Sequence, residues 1–421
     1  MGDNMDKTWN QLYEEREKRI LDAIALKEPD RIPVVPLFAF FNCYYTGITP
    51  GEAYRDPDKA IAAWRKTILD FQPDATYSVN FTVYAMDEVL SGLDFKAMKW
   101  PGHGVPETRS FQFVEDEYMK VEEYEDFFSN PGEYLLKSVL PRLAGNLRGL
   151  AKLPPLETIC LGYVWPSVLP AFTNPELVRA LETLLDVSKK QLKWVQKFSS
   201  FAQELKELGF PSIKEQTVLA PYDMIADNLR GARGAMMDLY RRPAKLKRAV
   251  EQITPFIVAA GINGAKTKGN PRVFIPLHKG TDNFMSPKHF KEFYWPTLQK
   301  LIIDLCEADC TPYLLIEGLY DTRLDIIKDV PMGKCIYHFE GTNIFEAKKK
   351  LGDTVCIMGN LPNSLLVTAT PEDVKEYCKK LIDICGDGGG FIMSSSALID
   401  EARTENVQMM MEFTREYGRY Y

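Results

Sequence analysis

The chain has 421 residues, 45% apolar and 26% charged, an ordinary globular balance. Its 58 acids and 51 bases leave a net charge of −7, which argues against nucleic-acid binding, since that footprint is basic. The N-terminal run "MGDNMDKTWNQLYEEREKR" has no apolar core, and the longest apolar stretch, "PVVPLFAFFNCYY", is proline-broken and too short to cross a bilayer. No membrane association is therefore expected. The eight cysteines are scattered, with no Cys-x-x-Cys pair, so a reducing, cytoplasmic setting with free thiols is expected.

In chain order, apolar strand-like runs occupy 31–40, 74–79, 212–223, 272–280, 311–318, 334–341, 354–361 and 390–397. Between them lie segments whose apolar residues return every three or four positions, notably 57–71, 175–209, 287–309 and 371–387. The last opens on "TPEDV", a helix-start signal with Pro behind Thr and acids in the first turn. Eight strands, apolar on both faces and alternating with helices, predict a parallel (β/α)₈ TIM barrel, preceded by an N-terminal helical extension. A doubly wound open sheet is the rival. It would need a Gly-rich phosphate turn after the first strand, where "PLFAFFNCYYTG" stands instead. One unit over 1–421 is expected, with an insertion at about 92–155 that reads as a hairpin and an acidic loop.

In such a barrel the C-terminal strand ends carry the chemistry. The first offers Phe38, Phe40, Phe41, Tyr44 and Tyr45, five aromatics in eight positions. Phe38, Phe41, Tyr44 and Tyr45 are candidates for a substrate pocket; packing under the first loop is an equal reading. The third ends in Tyr222 and Asp223, candidates to face substrate, followed by Asp227, Arg230 and Arg233, which read as ion pairs within the loop. The fourth ends in His278, where an imidazole can serve as ligand, acid or base. The seventh brings Asn360, suited to orienting a substrate. Ser394 to Ser396 of the eighth are weaker polar candidates.

The fifth and sixth runs both stop at Glu-Gly, in "PYLLIEG" and "CIYHFEG". Side chains alternate along a strand, so His338 and Glu340 share a face, with Glu317 on the neighbouring strand. One imidazole and two carboxylates suit a catalytic zinc, with Glu317, His338 and Glu340 as ligands and His278 in reserve. The same groups suit metal-free acid–base chemistry, or buried carboxylates held by backbone amides or by Arg323 or Lys279.

"KRILDAIALKEPDRIPV", "APYDMIADNLRGARGAMMDLYRRPAKL", "MSPKHFKEFYWPTLQKLI", "GNLPNSLLVTATPEDVKEYCKKLID" and "GGGFIMSSSALIDEARTENVQMMM" resemble the uroporphyrinogen-decarboxylase superfamily, in the branch of corrinoid-dependent methyltransferases. The resemblance spans nearly the whole chain and implies a (β/α)₈ barrel. The arginine-rich first loop that holds porphyrin carboxylates is missing, which puts porphyrin decarboxylation in doubt. The His-x-Cys and later Cys ligands of thiol-methylating members are also missing: Leu315-Ile316-Glu317 and "SSSA" stand there. Glu317 and His338, 20 residues between them, resemble the oxygen- and nitrogen-rich zinc sites of demethylating members. The resemblance thus implies transfer of a methyl group from a small O-methyl donor to cobalamin, with zinc as Lewis acid. No Asp-x-His-x-x-Gly motif is present, so the cobalamin would sit on a separate corrinoid protein. A metal-free lyase or decarboxylase using Asp223, His278 and Glu317, and a non-catalytic subunit, are the alternatives; a homodimer is left open.

Overall fold

The computed structural model describes residues 8–159 and 162–420. Six parallel strands lie side by side in chain order: Gln216–Thr217, Arg272–Leu277, Thr311–Ile316, Ile336–Phe339, Cys356–Gly359 and Phe391–Ile392. Two extended segments complete the ring. Val34 bridges Met393 in parallel, and the Val35 amide donates to the Met393 carbonyl at 2.9 Å. The Asp74 amide donates to the Val34 carbonyl at 3.0 Å, and Thr76 bridges Ser212 in parallel. These eight segments are the eight apolar runs, and the chain is a (β/α)₈ barrel. Ser394 and Ser395 serve this closure: the Ser394 hydroxyl donates to the Val35 carbonyl at 2.7 Å, and the Ser395 hydroxyl accepts the Leu37 amide at 3.3 Å.

Alternation divides the strand residues between two cores. Inward go Val35, Leu37, Tyr77, Ile213, Phe274, Tyr313, Leu315, Met358 and Ile392, which fill the barrel. Outward go Val273, Ile275, Leu314, Ile316, Tyr337 and Phe339, which meet the helices. The helical periods form Pro57–Phe71, Pro175–Glu207, Trp295–Glu307 and Pro371–Cys385. Asp56, Asn174 and Thr370 cap three of these by accepting first-turn amides, each just ahead of a proline that has no amide to satisfy. The N-terminal helix, Trp9–Ile24, sends Ile20, Ala23 and Ile24 into the barrel core. In the inserted segment, Met98–Pro101 pairs antiparallel with Gln112–Phe113, and the turn at Gly145–Lys152 packs on Pro175–Glu207. Among the described residues no helix is long and apolar enough to cross a membrane.

Asp74 clasps the start of the barrel. It is fully buried and accepts from Arg19 at 2.6 Å, from Arg31 at 2.7 and 2.8 Å and from the Val34 amide at 2.8 Å. Burial alone would raise its pKa, but Arg31 and Arg19 outweigh that and hold it well below the usual carboxylate range. Removing one partner of a buried pair strands the other charge. Asp74→Ala is therefore expected to cost about 3–5 kcal/mol in urea unfolding; a loss under ~1 kcal/mol, the size of an exposed pair, would contradict the clasp.

Candidate active site

Strand register sets which side chains meet at the mouth. Leu277 pairs with Ile316, Leu315 with His338, and Phe339 with Gly359. One step beyond, His278, Glu317, Glu340 and Asn360 end four adjacent strands in one inward-facing layer. The ladder carries on there: the Glu340 amide donates to the Ile316 carbonyl, and the Gly341 amide to the Gly318 carbonyl, both at 3.2 Å.

His278 stands between two carboxylates. Its Nδ1 is 2.5 Å from Asp227 Oδ2, and its Nε2 is 3.8 Å from Glu317 Oε1. Burial would push the imidazole down, but the Asp227 hydrogen bond and the charges of Asp223 and Glu317 hold it up at about 9. Burial lifts the Glu317 carboxyl; His278 opposes this, while Glu340, Asp223 and Asp227 add to it, leaving it at about 7. Lys279 Nζ lies 2.5 Å from Glu115 of the insertion and 3.3 Å from Asp227.

Asp223 is fully buried beneath this pair. It accepts the His278 amide at 2.9 Å, the Lys279 amide at 3.0 Å and the Tyr294 hydroxyl at 2.6 Å. Burial, helped by the charge of Asp227, raises its pKa to about 6. With three donors filling it, Asp223 fixes the backbone that presents His278 and does not itself face the mouth. Tyr222 is likewise buried, in the outer core, with its ring 5.5 Å from Tyr294. Asn360 donates to the carbonyls of Glu340 and Thr342 at 3.3 and 3.2 Å, so it pins the loop that carries Glu340.

Three further expectations change. His338 does not join Glu317 and Glu340. It lies one layer deeper, fully buried, its Nδ1 2.9 Å from the Tyr313 hydroxyl and its Nε2 2.8 Å from the Ser395 carbonyl. Burial pushes it down to about 4, so it is a neutral core histidine with both ring nitrogens engaged. Glu340 turns its carboxylate to the Gly318 amide at 2.6 Å. Among the described residues no three His, Cys, Asp or Glu side chains converge as a metal-ligand set; Glu317, His338 and Glu340 do not fit zinc in this arrangement.

The aromatic pocket moves as well. Phe38, Phe41 and Tyr45 stack in series, at 5.3 and 5.7 Å, and all three pack edge-on against Phe71. Phe38 and Phe41 are buried there, and the Tyr44 hydroxyl donates to the Thr108 carbonyl at 2.7 Å. They seat the first helices against the barrel. Instead Tyr84, Phe111 and Phe113 pack together, with centroids 5.1–5.9 Å apart, and Tyr84 and Phe113 are exposed. Third, Asp227 does not pair with the nearby arginines: Arg230 goes to Asp238 and Glu117. Its partnership with His278 had one signal in sequence, a place one helical turn after Asp223.

The uroporphyrinogen decarboxylase (URO-D) family matches residues 161–417. No curated protein matches the chain. Among solved structures, a methyltransferase from Methanosarcina mazei aligns with 96% of this chain and 98% of its own, at a TM-score of 0.61 and 14% identity. That likeness is one of fold. With more than half its length matched, the chain belongs to the uroporphyrinogen decarboxylase family.

Proposed function

We propose that this protein is a methyltransferase that takes the methyl group of a small O-methyl donor and delivers it to cobalamin on a separate corrinoid protein. The observation that carries the reading is the Asp227–His278–Glu317 line at the mouth. An ether oxygen leaves poorly as an anion, so demethylation needs a positive charge or a proton at that oxygen. His278 is held protonated, with Nδ1 anchored by Asp227 and Nε2 directed at Glu317 in the open layer. Donation from Nε2 to the departing oxygen balances the step: the methyl carbon goes to the acceptor, the oxygen leaves as a hydroxyl, and Glu317, near its own pKa, returns a proton to His278. Cob(I)alamin would supply the nucleophile.

Charge narrows the donor. Asp227, Glu317 and Glu340, with Glu115 of the insertion, meet His278 and Lys279 as cations. Such a mouth repels a polycarboxylate, which disfavours a porphyrin-like substrate, and it accepts a neutral ether. The exposed rings of Tyr84 and Phe113 give an aromatic ether a stacking surface.

Methylation of a reduced corrinoid protein by aryl methyl ethers tests the reading; if no ether supports it, the reading fails. His278→Gln, which keeps a hydrogen bond but has no proton to give, is expected to lower kcat by about 10²–10⁴-fold. Because the active form is the acid, kcat/KM falls as pH rises through about 9. Asp227→Asn moves that alkaline limb to lower pH; an unmoved limb would detach Asp227 from His278. Elemental analysis checks the metal: stoichiometric zinc, lost in both Glu317→Ala and His278→Ala, would put a Lewis acid in place of the proton.

A further inference from the structure

The third barrel segment carries a cation that the chemistry of the mouth does not use. Lys214 is only 6% exposed. Its Nζ lies 4.5 Å from the centroid of the Phe81 ring and 5.2 Å from that of Phe274, and it donates to the Thr217 hydroxyl at 3.1 Å. Both rings belong to the core inside the barrel. Among the described residues no carboxylate pairs with this ammonium; Glu215, next in the chain, attracts it from beyond ion-pair distance. An ammonium has three protons to donate, and Thr217 takes one. Two rings and a hydroxyl compensate a buried charge only in part. Burial accordingly lowers the pKa to about 8, and the charge still held at neutral pH has no matching anion.

The surroundings of Lys214 are open on one side. Thr217 pairs in register with Phe274, which points into the barrel, so Thr217 shares that inward face. Gln216 before it turns outward and donates to the Ala260 carbonyl of the neighbouring helix at 3.3 Å. A threonine packed into a closed interior would be covered, yet Thr217 is exposed. Leu219, the next residue on the same face, is only half-buried. An opening therefore runs down this side of the barrel to the hydroxyl that holds Lys214.

We propose that Lys214 and Thr217 form an anion subsite at the floor of the barrel, which takes a single carboxylate of the methyl donor at the end away from its ether. The subsite rests on the O-methyl donor proposed for the mouth, and it narrows that donor to a methoxy acid. One cation matches one negative charge, so a carboxylate fits, whereas a dianionic phosphate would leave a buried charge unmatched. The Phe81 and Phe274 rings beside the ammonium suit a flat, aromatic acid. Height orders the two ends. Thr217 is level with Phe274, and His278 stands four residues further along that strand, a rise of roughly 13 Å. The donor's charge thus lies at the floor, away from Glu317 and Glu340, and a ring separates it from the neutral ether at His278.

Calorimetric titration of the full chain with benzoate and with benzamide tests the subsite. Neither probe has a methyl group to give, so the outcome is separate from that of the demethylation assay. Benzoate is expected to bind about 10–100-fold more tightly than benzamide, the difference a charge-assisted contact makes. Lys214→Met keeps the apolar stem and drops the charge, and is expected to abolish that preference. It should also melt no lower than the wild type, because it strands no partner charge; a lysine kept for stability would behave in the opposite way. Benzoate binding no tighter than benzamide, a preference undiminished in Lys214→Met, or a marked fall in the melting temperature of that variant would each overturn the proposal.

Discussion

The register of the parallel strands governs the mouth of this barrel. Side chains repeat every two residues along a strand, and a strand rises about 3.3 Å per residue. One inward layer therefore lies about 6.6 Å above the next, and a group reaches its neighbour only within a layer. Leu315 pairing with His338, and Leu277 with Ile316, put His278, Glu317, Glu340 and Asn360 in the top layer. Leu315, His338 and Met358 fill the layer beneath, over Phe274 and Tyr313. The chemistry of the mouth thus rests on an apolar plug whose position the ladder fixes.

Holding carboxylates on that plug is costly unless donors meet them. Asp223 takes two backbone amides and a tyrosine hydroxyl, and Glu340 takes the Gly318 amide. Among the described residues Glu317 has no backbone donor of this kind, and it faces His278 across 3.8 Å. The two saturated carboxylates shape the loops. The unsaturated one keeps the freedom to exchange a proton, which separates framework from chemistry within a cluster of like residues.

Much of the architecture was legible in sequence because its signals are local. All eight apolar runs became barrel segments, and the four long helical periods became helices with caps where Asp56, Asn174 and Thr370 stand. His278 and Glu317 were legible as strand-end residues. What escaped were contacts across long separations: Asp227 with His278, Glu115 with Lys279, and the Tyr84 and Phe113 surface built from two loops. The aromatics after the first strand misled for a physical reason. Phe38 and Phe41 lie at a strand end, yet Phe71 of the following helix packs edge-on against them and draws them into the core.

The pairing of Glu317 with His338 failed for a related reason. Paired residues on these two strands differ by 23 in number, as Leu315 and His338 do. Glu317 and His338 differ by 21, two short of register, which is one full layer. The spacing therefore measures a strand-to-strand crossover and leaves the shared site to Glu340. His338 finds a different use below. Tyr77, Tyr313, His338 and the Ser395 carbonyl form a hydrogen-bonded chain across the barrel interior, at 2.5, 2.9 and 2.8 Å. The Ser395 carbonyl takes the proton of Nε2, so Nδ1 accepts from Tyr313. The chain joins the second, fifth, sixth and eighth segments, and slipping one strand by a residue would turn its polar group out of the interior. The histidine that looked like a ligand helps hold the register that brings His278 and Glu317 together.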